Sequence, residues 1–252
     1  MKKTMTLAMT LLFAAITVTA AESCSTAKTA SNAARVESVQ NTDRTTTVGK
    51  HRFIDMGLPS GLLWAETNVG ADDATEPGTF YAWGETEAKE DYSWQTYKFG
   101  ADYDKTFKYT DYDGMMRLLP ADDAARAQWG GECRMPTFEE MQELADTKNC
   151  RWTWTVKKTP EGKKTGGYEV VSLKNGNRIF IPAAGAENGD DVVFRSEQGM
   201  YWTSTLAHDT SVTNGEVFAG NAFCMNFYFA SVNFHFGDRN TGASIRPVLA
   251  VK

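Results

Sequence analysis

Between Phe53 and Gly70 the chain reads FIDMGLPSGLLWAETNVG, and no other stretch constrains the fold as much. Two glycines frame Leu-Pro-Ser, and a Trp-Ala pair then leads into Asn-Val-Gly. Gly, Pro and Ser are turn residues, each for its own backbone reason, so the stretch predicts a strand, a tight turn and a second strand.

The same texture continues downstream, where aromatics and glycines alternate and strand-turn-strand patterns dominate. Phe80 to Trp83 predicts a short apolar strand ending at Gly84. Trp152 and Trp154 flank Thr153 with period two. Gly167–Leu173, Asn175-Gly176-Asn177 and Arg178–Pro182 read as a hairpin. Met200–Ser204 predicts a short strand, and His208–Gly220 a polar loop. Two helices stand out. Pro120–Gln128 opens with Pro and acids, which suit a helix N-terminus. The other has Thr137 as N-cap with Glu140 three residues on, a capping box, and Phe138, Met141 and Leu144 at helical spacing. The fold class expected is α+β, with two short helices on twisted, mostly antiparallel strands.

The N-terminal region follows different rules. Lys2 and Lys3 precede an apolar run broken only by threonines, with small residues near Ala20 and Ala21. That pattern predicts a secretory signal peptide over residues 1–21, too short for a bilayer span. Residues 22–50 are rich in Ser, Thr, Ala, Asn and Gln and cannot bury enough surface to offset ordering entropy, so a flexible tether is expected. The folded domain is then expected at 51–252. Cys24 stands where a bacterial lipid anchor would go, although Glu22 fits that processing signal poorly. The product is therefore either a lipoprotein of the cell envelope, attached through Cys24, or a soluble secreted protein.

The formal charge is −6 and the chain has no Lys/Arg block, which argues against nucleic acid as a partner. Cys133, Cys150 and Cys224 remain after Cys24. They are either three buried thiols or a Cys133–Cys150 bridge with one cysteine left over; a bridge over so short a loop adds ~3 kcal/mol.

Six segments recur in order as a recognisable set: DMGLPSGLLWAETNVGA (55–71), FYAWGETEAKEDYSWQTYK (80–98), DDAARAQWGGECRMPTFEEMQEL (122–144), IFIPAAG (179–185), YWTST (201–205) and SIRPV (244–248). Together they resemble the bacterial major paralogous domain proteins of the Fibrobacter succinogenes type. The resemblance implies export, and a C-type lectin-like fold related to the formylglycine-generating enzyme. Cys133 stands where that family usually has Trp.

Chemical sites are sparse. Glu76-Pro77-Gly78 lacks the Asn oxygen of a lectin calcium loop, and no Trp-Asn-Asp occurs; Glu187-Asn188-Gly189-Asp190-Asp191 is the alternative oxygen-rich run. His51, His208 and His235 are scattered, and Cys224 has no close cysteine neighbour, so neither an enzyme nor a cofactor is expected. Glu85, in WGE, is read as a loop-fixing carboxylate, and Arg134 and Arg246 as buried guanidiniums. The remaining candidate is the terminal hairpin. Met225, Phe227 and Phe229, then Val232, Phe234 and Phe236, are expected to point inward. Asn226, Tyr228, Asn233 and His235, continuing to Asp238, Arg239 and Asn240, would form a polar ligand-binding face. Tyr and Asn combine large contact area with adaptable hydrogen bonding at low entropy cost. The expected partner is a glycan or an extracellular protein.

Overall fold

The computed structural model describes residues 45–211 and 215–250. The expected signal peptide, the tether up to residue 44 and the candidate lipid anchor Cys24 lie outside the described residues. Among the described residues extended structure is already present at Thr45, ahead of the domain start expected at residue 51. Thr45–Val48 (β1) pairs antiparallel with His51–Asp55 (β2), Val48 opposite His51. Three β-branched threonines favour the strand, and Gly49, at φ +59°, makes the turn.

The Phe53–Gly70 stretch forms as expected: β2, then a Pro-Ser turn, then Leu63–Ala65 (β3), with Ile54 opposite Trp64. Phe80–Trp83 does not form a strand. Tyr81 makes one bridge to Ala243, while the Trp83 N–H donates to the Arg239 carbonyl at 2.8 Å and its indole Nε1 to the Thr203 carbonyl at 2.8 Å. Both backbone partners lie in the 239–243 segment, but Trp83 bonds it two residues out of register with the Tyr81–Ala243 bridge, so no ladder extends.

The first expected helix is split. A single 3-10 turn occupies Pro120–Asp122, and Asp123 caps Ala124–Trp129 (α1) by accepting from the Arg126 N–H at 3.1 Å. Cys133–Arg134 (β4) follows. Phe138–Ala145 (α2) carries the full capping box, with the Glu140 N–H donating to Thr137 Oγ1 and the Thr137 N–H to Glu140 Oε2. Its inward residues Phe138, Met141 and Leu144 are buried, worth ~1.5–3 kcal/mol each.

The remaining chain is strand: Cys150–Lys158 (β5), Lys164–Ser172 (β6), Arg178–Pro182 (β7), Ala186–Asn188 (β8), Asp191–Val193 (β9), Gln198–His208 (β10), Val217–Tyr228 (β11), Ser231–Asp238 (β12) and Val248–Leu249 (β13). They assemble as β1-β2-β3-β13-β4, β5-β6-β7, β8-β9 and β10-β11-β12; among the described residues the ladders between these strands are antiparallel, and β10 adds isolated parallel bridges from Gly199 to Gly185 and from Tyr201 to Ser244. The result is a mostly β, α+β-like architecture with few helices.

Strand β10 is twice the length expected from Met200–Ser204. Its interior is buried throughout, so the hydroxyls of Thr203, Ser204 and Thr205 do not mark a surface. Thr203 Oγ1 donates to the Phe223 carbonyl at 2.8 Å, and Thr205 Oγ1 accepts from the Phe138 N–H at 3.0 Å. Satisfied in this way, a buried hydroxyl costs little. Strand β11 likewise starts at Val217, inside the expected polar loop. Trp64, Trp83, Trp202 and Tyr201 are among the largest fully buried side chains, and Phe138 stacks on Phe223 with centroids 4.0 Å apart.

Candidate functional site

The β11–β12 hairpin turns at Phe229-Ala230, and its register is unbroken from Asn221↔Asp238 to Tyr228↔Ser231. Successive strand residues face opposite sides, so this register assigns each side chain to a face. Phe223, Met225 and Phe227 share one face with Val232, Phe234 and Phe236. The first three are buried, while Val232 and Phe234 pack half-buried against the same core. Two aromatics depart from expectation. Phe229 sits in the turn rather than the ladder and is 70% exposed; Phe236 is 45% exposed, lying against Phe218 at 5.2 Å.

The opposite face carries Cys224, Asn226 and Tyr228 with Ser231, Asn233 and His235. Tyr228 (51%), Asn233 and His235 are exposed and Asn226 is half-buried, so these four candidates do come together. Asp238 does not join them. It falls on the other parity and accepts from Asn221 Nδ2 at 2.9 Å. Arg239 and Asn240 are buried, so they leave the candidate face. Asn240 Nδ2 donates to the Tyr92 carbonyl at 2.7 Å. Arg239 Nε donates to the Tyr97 hydroxyl at 2.8 Å, its other nitrogens bond the carbonyls of Ala219, Lys108 and Tyr109, and its guanidinium lies 4.8 Å from the Trp83 ring centroid. Burial lowers its pKa from the ordinary arginine value.

Strand β10 contributes a residue that sequence reasoning missed. Gln198 lies opposite Tyr228, and its Nε2 donates to Asn226 Oδ1 at 2.7 Å. Nothing in the local sequence around Gln198 announces this; only the pairing does. Asn233 Nδ2 bonds Ser231 Oγ at 2.9 Å, and His235 Nδ1 lies 3.3 Å from the Phe236 carbonyl. Beneath the face Cys224 is fully buried, its Sγ 3.5 Å from the His235 carbonyl, and burial pushes its thiol up to about 12. The hairpin tip is held from outside the sheet, since the Tyr168 hydroxyl lies 3.1 Å from the Tyr228 carbonyl and 3.2 Å from that of Phe229. The face is therefore an array of amides, a phenol and an imidazole braced by the sheet and by Tyr168, suited to hydrogen-bonded recognition.

A cleft of about 710 Å³ opens elsewhere, lined by Asp111, Arg117, Glu139, His208 and Glu216 among others. Arg117 pairs with Glu139 at 3.3 Å, and His208 Nδ1 lies 3.0 Å from the Leu206 carbonyl. Thr205, also in its wall, is engaged by the Phe138 N–H, so no hydroxyl there is paired with a base. Glu187-Asn188-Gly189-Asp190-Asp191 forms the β8–β9 hairpin, and among the described residues no group of three or more His, Cys, Asp or Glu is placed to hold a metal ion.

Several sequence readings find their partners here. Glu85 is buried and accepts from the Lys98 N–H at 2.7 Å and from Lys89 Nζ at 3.0 Å, which ties its loop together. Arg134 grips Glu140 with two bonds of 2.7 Å. Cys133, Cys150 and Cys224 are free and buried, with Cys133 and Cys150 in separate apolar clusters. No protein family, no curated protein and no solved structure matches this chain.

Proposed function

We propose that this protein is an exported, non-enzymatic binding module of the C-type lectin-like kind, akin to the major paralogous domain proteins. It holds a glycan or an extracellular protein at the bacterial cell envelope, or outside the cell if it is released without lipid. One observation carries the reading: the register of β10, β11 and β12 gathers Gln198, Asn226, Tyr228, Asn233 and His235 on one accessible face. That face is braced by buried aromatics beneath and by Tyr168 at the tip. Rigid aromatic and amide surfaces bind with little ordering cost.

The test compares the native protein with Tyr228→Ala/His235→Ala on arrays of glycans and of extracellular proteins. Both side chains are exposed, so the double variant is expected to lose binding with its melting temperature nearly unchanged. Unaltered binding by the variant rejects this face. A native protein that binds nothing on either array points to a structural or adhesive envelope component without a small-molecule site.

A further inference from the structure

A second concavity, of about 160 Å³, shares no residue with the hairpin face. Lys163, Lys164 and Arg195 contribute to its wall, in a chain whose formal charge is −6. Among the described residues none of the three side chains makes a hydrogen bond or an ion pair within 4.0 Å, although Lys163 acts at longer range on Glu161 and Arg195 on Glu187. The two carboxylates in the same wall accept hydrogen bonds from their own loops rather than from these cations, and of the two Glu161 feels the charge of Lys163. Glu76 Oε2 accepts from the Asp72 and Asp73 N–H groups at 3.0 and 3.1 Å, and Glu161 Oε2 from Thr159 Oγ1 at 2.8 Å.

The turn that brings Arg195 to the wall is itself strained. Phe194 and Ser196, on either side of it, have φ of 57° and 67°, a region that costs non-glycine residues ~1–3 kcal/mol each. The strain is held by the Ser196 N–H donating to the Ala183 carbonyl at 2.7 Å and the Gln198 N–H to the Phe194 carbonyl at 2.9 Å. The remaining wall mixes Thr and Ser with an apolar stretch at Pro182 and Ala183.

We infer that this cavity binds an acidic sugar, taking the carboxylate or sulfate ester of a single ring against Lys163, Lys164 and Arg195. Cations whose donors are free of direct hydrogen bonds supply charge-assisted hydrogen bonds to a ligand, the strong kind. The threonine hydroxyls of the wall donate within the protein and keep lone pairs that accept from ring hydroxyls, and Pro182 with Ala183 offers a dry patch for a ring face. The volume falls below the ~300–1,000 Å³ of pockets for drug-sized ligands, so the concavity itself takes in about one ring.

The experiment is isothermal titration of the full chain with glucuronate, N-acetylglucosamine 6-sulfate and neutral glucose, at low and high salt. Binding of one or both acidic sugars is expected, weakened by salt, with glucose silent. Preference between the two acids identifies the anionic group. Arg195→Gln, and separately Lys163→Gln/Lys164→Gln, are expected to weaken binding about tenfold each, while Tyr228→Ala/His235→Ala leaves it unchanged. Equal affinity for glucose, no binding of either acid, or full binding by both basic-residue variants overturns the inference. Each outcome is independent of the hairpin face.

Discussion

Arg246 Nε donates to Asn68 Oδ1 at 2.8 Å, joining residues 178 positions apart at a point where both side chains are fully buried. The other guanidinium nitrogens reach the carbonyls of Ala65, Glu66 and Phe180 at 2.8–3.1 Å. The charge is thus solvated by backbone and amide oxygens, and no described carboxylate lies within ion-pair distance of it. Removing the side chain strands these acceptors in the core. Arg246→Ala is expected to cost about 3–5 kcal/mol, and Arg246→Lys to restore little, because an ammonium lacks the planar fork. Urea denaturation at constant m-value checks this; a loss under ~1 kcal/mol would show that water replaces the guanidinium.

Asp122 and Asp123 are adjacent, both buried, and shifted in opposite directions. Burial pushes each upward from 3.8. At Asp122 the hydrogen bonds from Lys108 and Tyr109, with the charges of Lys108 and Lys98, outweigh burial and hold the carboxyl below 3.8. At Asp123 burial wins over the N–H groups of Met135 and Arg126. Asp122 therefore contributes stability that is present above 3.8 and is lost as pH falls through its lower folded value. Asp123 works the other way, costing stability when ionised and relieving that cost as pH falls toward 3.8. Asp122→Asn is expected to flatten the stability profile below 3.8, and Asp123→Asn to steepen it just above. Denaturation midpoints across pH 2–6 distinguish these; identical profiles would refute the assignment.

The three described thiols give a chemical prediction. Burial raises all three, Cys150 and Cys224 to about 12, so few thiolates exist at neutral pH. Alkylation of the native protein is expected to be slow at Cys133, Cys150 and Cys224, and fast at all three in denaturant. Peptide mass mapping reads the result. A Cys133–Cys150 peptide pair in unreduced protein would contradict it.

Gly199, in β10 opposite Phe227, has no room for a methyl group. An added Cβ would meet the Phe227 ring at 2.2 Å, and Tyr201 stacks on that same ring at 5.8 Å. Gly199→Ala should destabilise by ~1–3 kcal/mol and lower the melting temperature by roughly 5 °C. Thermal unfolding followed by near-UV circular dichroism tests it, with no change counting against the packing described.

How much of this was legible in sequence follows the range of the signals. The capping box at Thr137 and Glu140, the Asn175–Asn177 turn and the Gly57–Gly61 turn are local, and all three formed where expected. Phe80–Trp83 looked like a strand because its apolar run carries no record of where its backbone bonds go. The hydroxyls of Thr203 and Ser204 concealed the length of a strand buried on both faces. At the candidate site, alternation placed Asn226, Tyr228, Asn233 and His235 together correctly. It misplaced Asn240 and Arg239, which lie past the end of the strand where period two no longer applies. Gln198 depends on cross-strand register, which no short window contains.

Strand β13 lies between β3 and β4, with Val248 opposite both Trp64 and Arg134. Leu63–Ala65 and Cys133–Arg134 are thus not neighbours; each waits for a strand translated long after both. While the chain folds, β3 keeps an open flank until the strand at residue 248 docks, and such distant closures are slow. An unfilled edge of this kind is also a place where another copy can pair wrongly. Until Val248 arrives, the sheet that holds Leu63 is therefore incomplete at its middle rather than at its rim.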